Sequence, residues 1–526
     1  MLRIRLTITA FVALMAMLAV GCGGGDGGGG SSSGSGSGSE LANVASPGSV
    51  VFAEADLKPT GELKSSADSV AKKLTGEASL EDFVISKLES SAQKEGKSVD
   101  FAKEVEPWLG DRGGAAFERV EEGELSEPLI VVQTTNAKAA QAFVDKRAGE
   151  GKKPAKDVSY EGIKFEVGGS EGNAVGLIGE MLVLAQSETE FKAAVDASAG
   201  DSLGGEDRFQ TTLEAASNGS LADIYIDLGG IVKQTEGENE VPTKEALQAA
   251  GIDPSEATAV ASVIPHSDQI EINVSSELNG EKAPSGNASK LLGSLPANSF
   301  AALSFGDFSE MFEEAVDSLD EEGIPPDLEP GELKSALAQA GIDLDKIAAS
   351  LEEAAVFAEG NSQASLGGAM VITAKSEEAA DAIGSLGTLL RAANIPGITA
   401  VSGKASGLSI SSGTLGKKGL VVVGKGDRVA IGYGLAPAIT ALHAGSGATL
   451  SGTSAYKAAA AALGKTPISG FVDGPAALQL AETLIPHSKS DFWEAVPYLK
   501  KISYVGISSG SNGELATAKI IAGIGK

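Results

Sequence analysis

Pro47-Gly-Ser-Val-Val-Phe-Ala-Glu-Ala-Asp56 returns later in the chain as Pro296-Ala-Asn-Ser-Phe-Ala-Ala-Leu-Ser-Phe305, displaced by 249 positions. Three further matches follow in the same order. Val131-Val-Gln-Thr-Thr-Asn-Ala-Lys-Ala-Ala140 answers to Val371-Ile-Thr-Ala-Lys-Ser-Glu-Glu-Ala-Ala380 at 240, and Ala199-Gly200 answers to Ala444-Gly445 at 245. Ile224-Tyr-Ile-Asp227 answers to Gly470-Phe-Val-Asp473 at 246. Each match alone is weak in a chain rich in Ala, Gly and Val, but four in order within ten positions of displacement mark a repeat. The reading is two copies of one unit, residues 41–290 and 291–526, joined near the polar stretch Glu281 to Ser289 with its Pro284 and Gly286.

Within a copy the apolar period switches between 2 and 3.6. Val50 to Leu57, Pro128 to Thr134, Ile163 to Gly168, Ala222 to Leu228 and Gln269 to Leu278 read as strands, and Ala174 to Gln186 as a hairpin turning at Gly179-Glu180. Leu63 to Leu74, Leu80 to Gln93, Ala137 to Ala148, Glu188 to Ala197 and Arg208 to Ala216 read as helices. Ser187-Glu-Thr-Glu190 is a capping box. In the second copy Lys418 to Val423, a Gly424-Lys-Gly-Asp427 turn and Arg428 to Tyr433 repeat the hairpin. Hairpins mixed with helical excursions predict an α+β fold of two tandem modules, each with its own largely antiparallel sheet and packed helices.

The pattern resembles a family of bacterial envelope proteins known only as domain of unknown function 3352. The residues that carry it are Pro47 with its strand, Pro128-Leu-Ile-Val-Val-Gln-Thr134, Tyr160-Glu-Gly-Ile-Lys164, Gly179-Glu-Met-Leu-Val-Leu-Ala185, and Ser202-Leu-Gly204 through Phe209. They span 46–234, with a diverged echo at 295–483. The resemblance implies a fold and an envelope location; it brings no catalytic residues.

The N-terminus carries an address. Arg3 and Arg5 precede 15 apolar residues, Leu6 to Val20, a length suited to a secretory signal and short for a membrane span. Leu18-Ala-Val-Gly-Cys22 resembles a lipobox, with Ala19 standing where leucine is usual. Cys22 is the only cysteine in 526 residues. The expectation is a signal peptide at 1–21, then acylation of Cys22, which makes cytoplasmic-membrane lipid the first partner and the extracytoplasmic face the location. Residues 22–40 follow as a tether, 18 of them being ten Gly, six Ser and two acids. Such a segment reaches roughly 20–25 Å.

Composition narrows the function. Without the two leader arginines, 39 basic against 71 acidic residues leave the mature chain at −32. Nothing here neutralises phosphates, so nucleic acid is not expected as a partner. An acidic body is also repelled by anionic lipid. One cysteine and three histidines leave no Cys/His metal set, and no cofactor is expected.

The chemical motifs have plainer readings. Gly506-Ile-Ser508-Ser-Gly510 fits a nucleophile elbow, but a strand follows rather than a helix, and no histidine comes later. Ser69-Val-Ala-Lys72, Ser91-Ala-Gln-Lys94 and Ser454-Ala-Tyr-Lys457 match Ser-x-x-Lys without its companion motifs, and read as helix-surface residues. Gly464-Lys465-Thr466 precedes a strand, whereas a phosphate loop opens a helix. His266 and His487 both lie in Ile-Pro-His-Ser and read as Pro-His turns, with His443 the third histidine. Asp317 to Glu332 holds seven carboxylates and no base, without calcium-loop spacing, and reads as a solvated connection. Trp108 reads as a helix closed against the core; Trp493 is the only other tryptophan.

A non-enzymatic, lipid-anchored envelope protein is therefore the expectation, binding an envelope protein, the cell wall or an apolar ligand. A carrier of apolar cargo, a solute-binding lipoprotein of a transporter and a carboxylate hydrolase are the alternatives. A deep apolar cavity, a hinged polar cleft, or acids converging in a groove would distinguish them.

Overall fold

The computed structural model describes residues 39–94, 99–121, 124–126, 128–149, 155–168, 172–235, 257–277, 287–322, 331, 333–339, 341–392, 397–411, 418–488, 490–512 and 515–525. Ten strands of the main sheet come from the first half of the chain. They are β1 (Val51–Asp56), β2 (Leu109–Phe117), β3 (Leu129–Thr134), β4 (Lys156–Tyr160), β5 (Ile163–Gly168), β6 (Asn173–Ile178), β7 (Met181–Ala185), β8 (Ala222–Asp227), β9 (Thr258–Pro265) and β10 (Gln269–Glu277). Ten come from the second: β11 (Ser299–Phe305), β12 (Leu351–Glu359), β13 (Gly367–Ala374), β14 (Ile398–Val401), β15 (Ser406–Ile410), β16 (Leu420–Lys425), β17 (Arg428–Tyr433), β18 (Gly470–Asp473), β19 (Ile502–Asn512) and β20 (Leu515–Ile524).

Every pairing between them is antiparallel. The spatial order is β4-β5-β6-β7-β3-β2-β1-β8-β9-β10 and then β20-β19-β18-β11-β12-β13-β17-β16-β15-β14. One α+β fold with a single large sheet thus replaces the expected two separate sheets. The reason lies in β10 and β20: each is long, and neither has another partner on its open side. They pair over nine residues, from Gln269 opposite Gly523 to Glu277 opposite Leu515. Satisfying both rows of backbone groups this way removes two exposed edges from the middle of the molecule.

Helices cover both faces. The first half contributes α1 (Gly61–Thr75), α2 (Leu80–Lys94), α3 (Ala137–Gly149), α4 (Glu188–Ala199), α5 (Asp207–Glu214) and α6 (Leu228–Thr235). The second contributes α7 (Phe308–Glu322), α8 (Leu333–Gln339), α9 (Glu378–Ala392), α10 (Leu435–Leu442), α11 (Ser454–Ala462), α12 (Gly474–Leu484) and α13 (Ser490–Leu499). The capping box at α4 forms as read: Ser187 Oγ accepts from the Glu190 N–H at 3.1 Å, and the Glu190 carboxylate from the Gln186 N–H at 2.9 Å. The tight turns at Gly179 and Gly426 adopt φ of 61° and 59°, which glycine reaches without Cβ strain.

On what we term the front face, Phe52, Val131, Phe165 and Tyr225 pack under Phe191 and Val195 of α4 and Phe209 of α5. Phe209 meets the Phe52 and Tyr225 rings edge-on at 5.7 and 4.9 Å. In the second half Ala302, Phe357, Val371 and Phe471 pack under Ala438 and Ala441 of α10 and Tyr456 and Ala459 of α11. Full burial of such side chains stabilises by about 1.5–3 kcal/mol each. On the back face, Leu228 and Ile231 of α6 lie over Val51 and Ile226, and Phe308, Met311 and Phe312 of α7 over Ile372 and Val429. Trp108 sits with Ala140 and Val144 of α3, 3% exposed, its indole N–H donating to the Glu104 carbonyl at 2.6 Å.

The body begins at Ser39. Ser39 is buried, and the short 3-10 helix Glu40–Val44 inserts Leu41, Ala42 and Val44 into the front core. Ser289–Ser294 inserts Leu291 and Leu292 at the start of the second half. Residues 1–38, including the expected signal peptide, Cys22 and most of the expected tether, lie outside the described residues, as do 281–286 of the expected junction. Of the acidic run, 323–330 and 332 lie outside as well, while 317–322 belong to α7 rather than to a connection, with Asp317 in an ion pair with Lys334. No helix among the described residues is long and apolar enough to cross a membrane.

Candidate functional site

A row of polar residues crosses the front face where the two halves join. Strand register sets Glu54 opposite Asp223, Asp223 opposite Ser262, Ser262 opposite Asn273, Asn273 opposite Lys519, and Lys519 opposite Ser508. Because side chains alternate along a strand, all six share one face. They lie between the first-half and second-half apolar clusters.

The row is tied together. Asp223 accepts from Ser262 Oγ at 2.6 Å and Ser220 Oγ at 2.8 Å. The Ser217 N–H donates to Ser262 Oγ at 2.8 Å, and Asn273 Nδ2 donates to Ser217 Oγ at 3.1 Å. Lys519 Nζ lies 2.8 Å from Glu271 Oε1, whose other oxygen is 3.2 Å from His266 Nε2. At the far end Arg112 reaches Glu54 at 2.5 Å. Burial raises the Glu54 carboxyl above its usual range; Arg112 opposes this and the neighbouring Asp223 charge adds to it. For Glu271, burial also acts upward, but hydrogen bonds and charge from Lys519, with Asn273 and His266, hold it below the usual range.

This arrangement joins strands, and the motifs singled out in the sequence do not assemble around it. Ser508, 1% exposed in mid-strand with Lys519 opposite, sits in no elbow. Ser69 Oγ donates to the Ser267 carbonyl, and Lys457 Nζ to the Gly452 carbonyl, so neither serves a Ser-x-x-Lys site. Gly464-Lys465-Thr466 forms a turn after α11, ahead of β18. The three histidines part company: His266 joins Glu271, His443 Nδ1 meets the Ile439 carbonyl at 2.8 Å, and His487 stacks on Trp493 at 4.2 Å. Among the described residues no group of three or more His, Cys, Asp or Glu could hold a metal ion. Sequence reading missed the polar row; its members are scattered Ser, Asn and acids that only long-range register aligns.

Two concavities stand out among the described residues. One, of about 20 Å³, is lined by Val44, Ser49, Ala116, Arg119 and Leu129, room for about one water. The other is an open apolar groove of about 370 Å³ over β12, β13 and β17, lined by Val356, Ala358, Gly368, Met370, Ile431 and Tyr433. The first is too small for a ligand; the second has the volume of a small-molecule site but lies open to solvent.

A family model described as a protein of unknown function, DUF3352, matches residues 82–520 as one span. The match therefore crosses the join instead of stopping within the first half. No curated protein matches the chain. Crystal structures of TP0453 show a distant likeness. Crystal form III is 11% identical, over 46% of this chain and 82% of that one, at a TM-score of 0.25. Crystal form IV is 13% identical with the same coverage, at a TM-score of 0.26.

Proposed function

We propose, from the premise that this chain belongs to the DUF3352 family, that it is a lipid-anchored protein of the bacterial cell envelope that binds or scaffolds without catalysis. The observation that carries the reading is the single antiparallel sheet. Its halves meet in a nine-residue ladder where a solute binder would have a hinged cleft. Acylated Cys22 would confine the body to the outer side of the cytoplasmic membrane, and the Gly/Ser segment would give it reach. Two acyl chains on one residue suffice for stable anchoring.

The same strand order supports descent from a duplicated module. Adding ten to each strand number of the first half gives the order of the second, read from the join outward. Asn273 and Lys519, 246 positions apart, face each other at the join, and 246 is also the separation of Asp227 and Asp473. Asp227 Oδ1 accepts from the Gly230 N–H at 2.8 Å and Asp473 Oδ1 from the Ala476 N–H at 3.0 Å, so each caps the helix after its strand. A second reading, carriage of an apolar cargo, draws on the groove at Met370 and Tyr433.

Metabolic labelling with an alkyne fatty acid tests the anchor. The natural chain takes label and sediments with membranes; Cys22→Ala loses the label. A Cys22→Ala chain that is still labelled refutes acylation there. Native mass spectrometry of the same variant tests the scaffold: a stoichiometric lipid bound to it would replace the scaffold by the carrier.

A further inference from the structure

We propose that β14, the strand at the second-half end of the sheet, takes up an extended acidic segment of an envelope protein as an added strand. β14 (Ile398–Val401) pairs with β15 on one side, and among the described residues no strand pairs with it on the other. The Ser411 N–H donates to the Gly397 carbonyl at 2.8 Å, which makes these two a hydrogen-bonded pair. Such pairs alternate along an antiparallel ladder, so Thr399 with Ser409 and Val401 with Gly407 come next. Ile398 and Ala400 therefore turn their N–H and C=O groups away from β15, to the open side. Charges, proline and bulges usually blunt an edge, and Ile-Thr-Ala-Val has none of them. At the opposite end of the sheet β4 opens with Lys156 and Asp157, both exposed.

An open row of backbone groups selects a strand, and the charge around it selects an acidic one. The run from Ala382 to Gly426 holds β14, β15, β16 and α9 beyond its first turn. It has Arg391, Lys404, Lys417, Lys418 and Lys425 and no acid, in a chain of net charge −30. Lys404, just past β14, is exposed, as are Lys418 and Lys425. The acids of α9, Glu378 and Asp381, stand on the far side of the helix from the edge. There Ala380 packs against β16 at Gly424, where a Cβ would find no room; the helix then passes Ser406 of β15 at Gly384 before its contact with β14. Widened to β13 and β17, residues 367–433, the count is seven bases to four acids. An acidic strand laid along Ile398–Val401 gains from this balance. A second copy does not: edge-to-edge pairing sets the same bases against themselves, and a strand of four residues falls short of the area that a stable dimer buries.

The proposal rests on the scaffold reading for its partner class but on the edge alone for its geometry, so its failure leaves the Cys22 labelling result untouched. The test uses the natural full chain in nonionic detergent and a fluorescein-labelled heptapeptide of alternating Glu and Val, with a Lys/Val peptide as control. The anisotropy titration should give a Kd below about 1 mM for the Glu peptide and binding at least about ten-fold weaker for the Lys peptide. Ala400→Pro removes an outward N–H and no bond to β15, a change that edge strands accept; it should weaken binding at least about ten-fold. Lys404→Glu, at an exposed site, should weaken it about five-fold with the far-UV spectrum unchanged, and decides the matter where Ala400→Pro alters that spectrum. Bound Glu peptide should also slow hydrogen exchange at the Ile398 and Ala400 amides. No binding at about 1 mM, equal binding of the Lys peptide, or binding that a folded variant leaves undiminished overturns the proposal. Attachment elsewhere, such as to Arg3 and Arg5, falls under the last of these. A chain that sediments as a dimer, and that Ala400→Pro returns to monomer, overturns it in favour of a second copy.

Discussion

Ile520 and Ile272 face each other in the β10–β20 ladder, 1 and 5% exposed, so Ile520→Ala probes whether the join makes one cooperative body. The substitution removes three buried carbons where backbone on both sides is held by the ladder and cannot collapse freely. Transfer and cavity terms together cost about 2–5 kcal/mol for such a change. With a urea m-value of ~3 kcal/mol/M or more for a chain of this size, the midpoint falls by roughly 1 M. Each half carries one natural probe, Trp108 beside α3 and Trp493 on α13. Trp108→Phe and Trp493→Phe backgrounds therefore report the halves separately. A continuous sheet predicts coincident urea transitions that move together in Ile520→Ala. Transitions that separate in the unaltered chain, or a shift seen by Trp493 alone, would refute the argument that the ladder couples the halves.

Three further outcomes follow from single residues. Gly432→Ala should destabilise by about 1–3 kcal/mol in thermal unfolding, because its Cβ would stand 2.7–2.9 Å from the Ala438 backbone and Cβ of α10. Glu54 is raised above its ordinary value of 4.5. The folded state therefore holds its proton longer than the unfolded state, and the stability it contributes below pH 4.5 is lost as pH rises through the folded pKa. Against Glu54→Gln, the natural chain should lose relative stability between acidic and neutral pH; a parallel pair of pH profiles would contradict this. Glu271 runs the other way. Lowered in the folded state, it contributes stability above 4.5 that is lost as pH falls through its folded pKa, so Lys519→Met should flatten the acid limb by about 1 kcal/mol, the lysine being one-third exposed.

Local pattern made much of this fold legible. Strands such as Ile163–Gly168, hairpins turning at Gly179 and Gly426, and the Ser187 capping box all act within a few residues, where periodicity and turn chemistry operate. Two kinds of strand escaped. Leu109–Phe117 reads Leu-Gly-Asp-Arg-Gly-Gly-Ala-Ala-Phe, with little apolar alternation, because Gly113 and Gly114 make room for Leu57 and Phe52 of its neighbour. Thr258–Pro265 is buried on both faces for its first five residues, so it has no polar side to alternate with. The join escaped for a different reason. β10 and β20 lie more than two hundred residues apart, and each alone is an ordinary amphipathic strand. The repeat displacement of 246 was visible in Asp227 and Asp473, yet nothing in it says that equivalent strands should pair with each other.

Charge at the join argues that the proposed copies have diverged in role. At the displacement of 246, Ser262 and Ser508 are equivalent, while Asn273 answers to Lys519 and Asp223 to Ser469. The first-half side of the row thus keeps two neighbouring acids, Glu54 and Asp223, with Arg112 on one, while Ser469 brings no charge to the other. Lys519 pairs with Glu271 across the join, while its first-half equivalent is the uncharged Asn273, so the ion pair is made on one side of the axis only. An axis that sets equivalent residues face to face penalises any charge on it by self-repulsion; replacing one Asn-equivalent by Lys removes that restriction and fastens the two halves in a single orientation.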